Sequence, residues 1–185
     1  MAQKKKIQTK TKVNKSAVKK FGVIVLLLAL ALFFIINNFV DKESEPEVKY
    51  YKFTKEGELV FSDSLGNMKS KIDIEIADSE YKRQLGLMNR KSMEENQGML
   101  FIFNEERFQS FWMLNTLISL DILFVNKEKR IVTIHKNTTP LSQQSYPSTD
   151  SSIYVVEVIG GYCDKYNINV GDKIDWMGTR LGNPN

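Results

Sequence analysis

The chain has 185 residues, enough for one ordinary domain and an appendage. Its formal charge of +4 is misleading, because eight lysines and no acid fall in the first 20 residues, leaving 18 basic against 22 acidic residues, net −4, in the remainder. The basic balance belongs to a tail and is no argument for a nucleic-acid-binding domain, while a single cysteine (Cys163) and a single histidine (His135) exclude an internal disulfide and the common zinc sites.

Residues 21–40, FGVIVLLLALALFFIINNFV, carry no charge. A helix of 20 residues spans about 30 Å, the thickness of a bilayer core. A secretory signal usually has an apolar run of about 7–15 residues and then small residues at a cleavage site. Here the run is longer and is followed by NNFVD. The expectation is therefore a single uncleaved transmembrane anchor that binds the bilayer, with secretion after signal cleavage as the alternative. Basic flanks stay cytoplasmic. Residues 1–20 are then a cytoplasmic basic tail, and the rest lies outside the cytoplasm, on the periplasmic side of the inner membrane. Attraction of the tail to anionic lipid fits this topology.

Residues 41–49, DKESEPEVK, read as a linker: charged, with Pro46 and little to bury. Residues 50–178 read as the main domain and 179–185 as a C-terminal tail. Residues 50–63 suggest two short strands around a turn at Lys55-Glu56-Gly57. KIDIEIA (71–77) alternates apolar and polar residues, the mark of a half-buried strand. Ser79 offers an N-cap and Glu80 suits the first turn, so a short helix is expected over 79–88. Arg90 then falls where a C-terminal cation is favoured.

Strands follow at 98–103, 110–125 and 130–135, the last two separated by the polar turn Asn126-Lys127-Glu128-Lys129. Residues 136–152 form a long polar loop. IYVVEVI (153–159) is an apolar strand broken only by Glu157, and KIDW (173–176) is a last strand. Seven or eight short strands with one or two short helices predict a mainly β domain, compact and barrel-like, partly closed.

The run SFWMLNTLISLDILFV (110–125) is the densest apolar stretch outside the N-terminal region, yet it contains Asn115, Thr116, Ser119 and Asp121. Burying such groups without partners costs roughly 2–7 kcal/mol each. Read as one strand, it turns Trp112, Leu114, Ile118 and Leu120 to the core. Asn115, Ser119 and Asp121 then share the other face. Any turn near Asn115 to Ser119 destroys that parity.

The pieces EIADSEYKRQLGLMNR (75–90), QGMLFIF (97–103), SFWMLNT with ISLDILFV (110–125), IVTIHKNTTP (131–140) and YVVEVIGG with NVGDKI (154–174) resemble, in order, the bacterial and archaeal family catalogued as domain of unknown function number 192. The resemblance covers about 100 residues and implies a small β-rich, barrel-like domain. It implies no reaction, since the family's biochemical role is not established. Two positions depart from the family pattern. Leu114 stands where the family has Lys in FWMKNT, and Ser119 stands where it has Pro in IPLD.

Three functions compete. The first is a membrane-anchored, non-catalytic binding module for a saccharide, an envelope polymer or a protein. Its ligand-binding candidates are Asn115, Thr116, Ser119, Asp121 and His135. The second is a hydrolase using Asp121 and Glu157 as a carboxylate pair, which requires both in one cleft about 5–9 Å apart. The third is a structural or assembly factor for envelope proteins. For Asp121 and Glu157 the structural alternative is hydrogen bonding to backbone or pairing with Arg83 or Arg90. No cofactor, metal or nucleic-acid partner is expected. Cys163 reads as a small buried hydrophobe, and Trp112 as core packing.

Overall fold

The computed structural model describes residues 15–39 and 50–178. The expected linker, the C-terminal tail and residues 1–14 of the basic tail lie outside them. The chain divides into two units, one before and one after residue 48.

The first unit contains helix α1 (Lys15–Phe39), which starts within the lysine-rich tail. Its segment Lys19–Ile36 is long and apolar enough to cross a membrane, and none of that segment is buried by protein. A signal sequence near the N-terminus has the same character.

The second unit contains β1 (Gly57–Ser62), β2 (Met68–Ala77), α2 (Glu80–Leu85), β3 (Gln97–Arg107), β4 (Ser110–Phe111), β5 (Leu120–Val125), β6 (Ile131–His135), β7 (Tyr146–Pro147), β8 (Ser152–Ile159), α3 (Tyr162–Lys165) and β9 (Lys173–Gly178). Seven strands form one sheet in the order β6-β5-β8-β3-β2-β1-β9, and β4 pairs with β7 separately. Only β2 and β3 run parallel; α2 and the loop after it supply the crossover that parallel pairing requires.

The domain is mainly β with few short helices, as expected, but no closed barrel forms. The two sheet edges meet where β6 and β9 begin: Arg130 bridges Lys173, the Ile131 amide donates to the Asp172 carbonyl and the Ile174 amide to the Lys129 carbonyl. The hairpin expected over 50–63 is replaced by a single strand, β1, since residues 50–56 are not strand. Helix α2 is shorter than expected. Ser79 caps it, accepting from the Lys82 amide, and it stops at Gly86, whose φ of 48° suits glycine. Arg90 therefore lies well past the helix end.

Each sheet face carries a core. On one face Leu59, Phe61, Ile72, Ile74, Leu123 and Val156 pack with Tyr162 and Cys163 of α3. On the other, Met99, Phe101, Ile122, Phe124 and Val155 are covered by Leu87 and Met113 from loops and by Tyr146 of β7.

The long strand expected over 110–125 does not exist. The chain leaves the short β4–β7 pairing after Phe111 and joins the seven-stranded sheet only at Leu120. Asn115 turns it, with φ of 56°, a left-handed conformation that asparagine tolerates better than most residues. The Thr116 amide donates to the Met113 carbonyl, closing the turn. Parity is lost, and Trp112, expected in the core, is 58% exposed.

Candidate functional site

Asp121 is fully buried at the start of β5. Its Oδ1 accepts from the backbone amides of Asn137 (2.7 Å) and Gly161 (3.1 Å), and its Oδ2 accepts from the amide of Cys163 (2.8 Å). Three N–H donors replace the arginine partner considered from sequence. Gly161 is glycine for a reason: its φ of 87° aims its amide at the carboxylate from the start of α3. Asp121 thus fastens β5, the loop after β6 and α3 together. Burial, then the neighbouring Asp121 carboxylate, pushes the Cys163 thiol far above its ordinary range.

Glu157 belongs to a different place. In the β5–β8 ladder Asp121 pairs with Val158 and Ile122 with Glu157. Successive residues of a strand face opposite sides, so the two carboxylates lie on opposite faces of the sheet. No single cleft holds both, so the spacing that the hydrolase alternative requires is not met.

Glu157 lies instead in a row with Met99 of β3 and Glu75 of β2. Arg90, 5% exposed, reaches into that row and pairs with Glu75 (Nη2 to Oε2, 2.5 Å). The guanidinium Nε and Nη1 have no hydrogen-bond partner. Burial pushes the Glu157 carboxyl up to about 8, partly offset by the charge of Arg90. Burial also raises Glu75, against the pull of Arg90 and of the Thr54 amide. One guanidinium shared by two buried carboxyls leaves Glu157 holding a proton at neutral pH. Arg90, read from sequence as a helix-terminal cation, is the centre of this cluster.

The remaining sequence candidates are dispersed. Ser119 donates to the Thr138 carbonyl at 2.9 Å and sits against Gly160, where a Cβ would lie 2.5 Å from the serine Oγ. Thr116 is buried, with its hydroxyl 3.4 Å from the Leu114 carbonyl. Asn115 is exposed, and its carbonyl accepts from Asn89. His135 is half-buried, its Nε2 2.7 Å from the Pro147 carbonyl and its ring edge-on to Phe124 and Tyr146. These residues serve the loops that cover one face of the sheet.

A cleft of about 740 Å³ opens elsewhere, between α2, the end of β3 and β4. That volume falls within the roughly 300–1,000 Å³ of small-molecule sites. Phe103, Phe111 and Trp112 supply its aromatic surface, and Glu80, Arg83, Glu105 and Arg107 its charges. Gln84, Asn104, Gln109 and Ser110 complete it.

The walls are held in place. Arg83 donates to the carbonyls of Asp78 and Ile102, pairs with Glu80 and lies over the Phe103 ring. Phe111 meets Phe101, Phe103 and Phe124 edge-to-face. Gln109 is pinned through its backbone: its amide donates to Ser148 Oγ, and its carbonyl accepts from the Ser148 amide. Its side-chain Nε2 is buried without a partner.

None of the five ligand-binding candidates read from sequence lines this cleft. Sequence reasoning missed Phe103, Asn104, Arg107 and Gln109. The available signal was FNEERFQSFW (103–112), where aromatic residues interleave with planar polar ones. Among the described residues, no group of three or more His, Cys, Asp or Glu side chains is placed to hold a metal ion.

Comparison with known proteins gives no activity but a clear affiliation. Residues 63–176 match DUF192, described as "Uncharacterized ACR". A UPF0127 protein of Pyrococcus abyssi is 32% identical over 109 residues, 56% of this chain and 86% of its own length. A UPF0127 protein of Thermococcus sibiricus is 31% identical over 105 residues, 56% of this chain and 65% of its own length. Two crystal structures share the fold at a TM-score of 0.63 each. One, from Sinorhizobium meliloti, is named as a candidate transcription regulator; it is 30% identical, and the match covers 69% of this chain and 98% of that one. The other, of unknown function from Novosphingobium aromaticivorans, is 28% identical over 73% of this chain and 95% of its own. The match spans more than half of the chain, and this chain belongs to the DUF192 family.

Proposed function

We propose that the protein is a non-catalytic binding module, held outside the cytoplasm by α1, whose ligand seats in the cleft between α2, β3 and β4. The observation that carries this reading is the cleft itself: the aromatic rings of Phe103, Phe111 and Trp112, the first two braced by their neighbours, beside charged and amide side chains. Trp112 is its most telling residue. A large aromatic 58% exposed at a cleft rim costs apolar hydration that burial would relieve; a ligand supplies that burial. The carboxylate pair that a hydrolase would need is split across the sheet. The anchor and its orientation rest on the apolar helix and on the lysines that precede residues 21–40.

The test is co-sedimentation of the full chain, in detergent micelles, with envelope polymer purified from the host cell. The wild type is retained and Trp112→Ala is not. Equal retention of the two, or no retention of either, rejects the cleft as the binding site.

A further inference from the structure

The composition of the cleft identifies what it binds. Small-molecule sites are usually lined mainly by apolar side chains, with a few polar groups. This one has no aliphatic side chain among its lining residues. Its surface consists of aromatic rings, amides, guanidinium and carboxylate groups, and one hydroxyl. A purely apolar ligand would leave those polar groups without partners. A polyhydroxylated ring matches both kinds of surface. Its C–H face packs on an aromatic ring, and its hydroxyls, which both donate and accept, pair with the planar polar groups.

The charges narrow the class further. Arg83 and Arg107 are balanced by Glu80 and Glu105, and Arg83 is already paired with Glu80. A phosphate or polyanionic ligand would meet as much negative charge as positive. Trp112 is the second observation: it is 58% exposed at the rim of the cleft, a large ring free to stack.

Resting on the reading of this cleft as the ligand site, we propose that it binds an uncharged oligosaccharide, with a sugar ring stacked on Trp112.

The sequence contains its own reporter. Trp112 and Trp176 are its two tryptophans. Trp176 packs against Tyr154 and Lys129 and does not line the cleft, so Trp176→Phe leaves Trp112 as the sole indole. That variant of the full chain, in detergent micelles, is titrated with chitotetraose, cellotetraose and maltotetraose, and with tetragalacturonate as an acidic sugar.

Saturable quenching or a blue shift with at least one neutral sugar, and weaker or no binding of tetragalacturonate, is the expected result. By calorimetry, Trp112→Ala abolishes that binding and Trp112→Phe keeps part of it.

The proposal is overturned if no neutral sugar perturbs Trp112, if the acidic sugar binds tighter, or if Trp112→Ala binds like the wild type. Should it fail while Trp112-dependent retention on envelope polymer persists, the cleft is a binding site for another class of ligand. Loss of that retention as well removes both readings.

Discussion

Asp121→Asn tests how this fold is fastened. The carboxylate accepts three backbone N–H bonds at a site with no solvent exposure. Asparagine offers one oxygen and one NH2. With its oxygen toward the amides of Asn137 and Gly161, its NH2 meets the amide of Cys163, donor against donor. A hydrogen bond to a charged group contributes about 1.5–3 kcal/mol and a neutral one about 0.5–1.5. The substitution therefore loses one charged bond and weakens two by about 1 kcal/mol each. Removing a buried charge returns part of this, since burying an ion is itself costly. The net loss is about 2–4 kcal/mol, a large share of a domain stability of about 5–15. With a urea dependence of about 1–3 kcal/mol per molar, the midpoint falls by about 1–2 M. The assay is urea unfolding of the full chain in mild detergent, followed by tryptophan fluorescence, since both tryptophans lie in the β domain. An unchanged midpoint would refute the argument that these three amides depend on the carboxylate.

Three further outcomes follow from the same geometry. Cys163, buried and with its thiol raised far above the ordinary range, does not react with a thiol reagent at pH 8 in the native protein and reacts fully in urea; rapid native labelling contradicts its placement. Glu157, pushed up to about 8 from an ordinary 4.5, holds in the folded state between those values a proton that the unfolded chain has released. Stability therefore falls with rising pH across that window, by up to about 1.4 kcal/mol per unit from this group. Wild type loses more stability than Glu157→Gln between pH 5 and pH 8 in urea melts, and an equal loss in both refutes the buried protonated acid. Finally, Gly98→Ala places a Cβ 2.7 Å from the Glu157 carbonyl oxygen and 2.8 Å from Ile72. It lowers the urea midpoint by an amount corresponding to about 1–3 kcal/mol, the usual cost of overpacking, and a wild-type midpoint shows that β3 and β8 are spaced more loosely.

Local pattern determined a good deal about this protein. The apolar run that becomes α1 is legible because 20 uncharged residues leave few alternatives. The alternation of KIDIEIA yields β2 with Ile72 and Ile74 in the core, since side-chain period 2 is a property of the strand itself. Ser79 announces α2 because capping is a contact between near neighbours. The family is legible too, from short segments in a fixed order.

Tertiary structure decided the rest. Residues 110–125 look like one strand because Asn115 is a single residue in an apolar run, and only the loops it pairs with make a turn there cheaper than continued strand. Once the chain turns, Trp112 moves from core to cleft rim, and Asp121 moves from a shared polar face to three amides brought from residues 137, 161 and 163. Arg90 stands 15 residues from Glu75, and Glu157 is further still; no short-range pattern relates them. The strand order β2-β3-β8 makes them one row. The cleft joins residues 80–84 to residues 103–112, which sequence separates by a crossover. Periodicity reports which way a side chain faces along one element. Which elements lie side by side depends on long-range pairing and burial, and that choice placed both the buried acid cluster and the binding cleft.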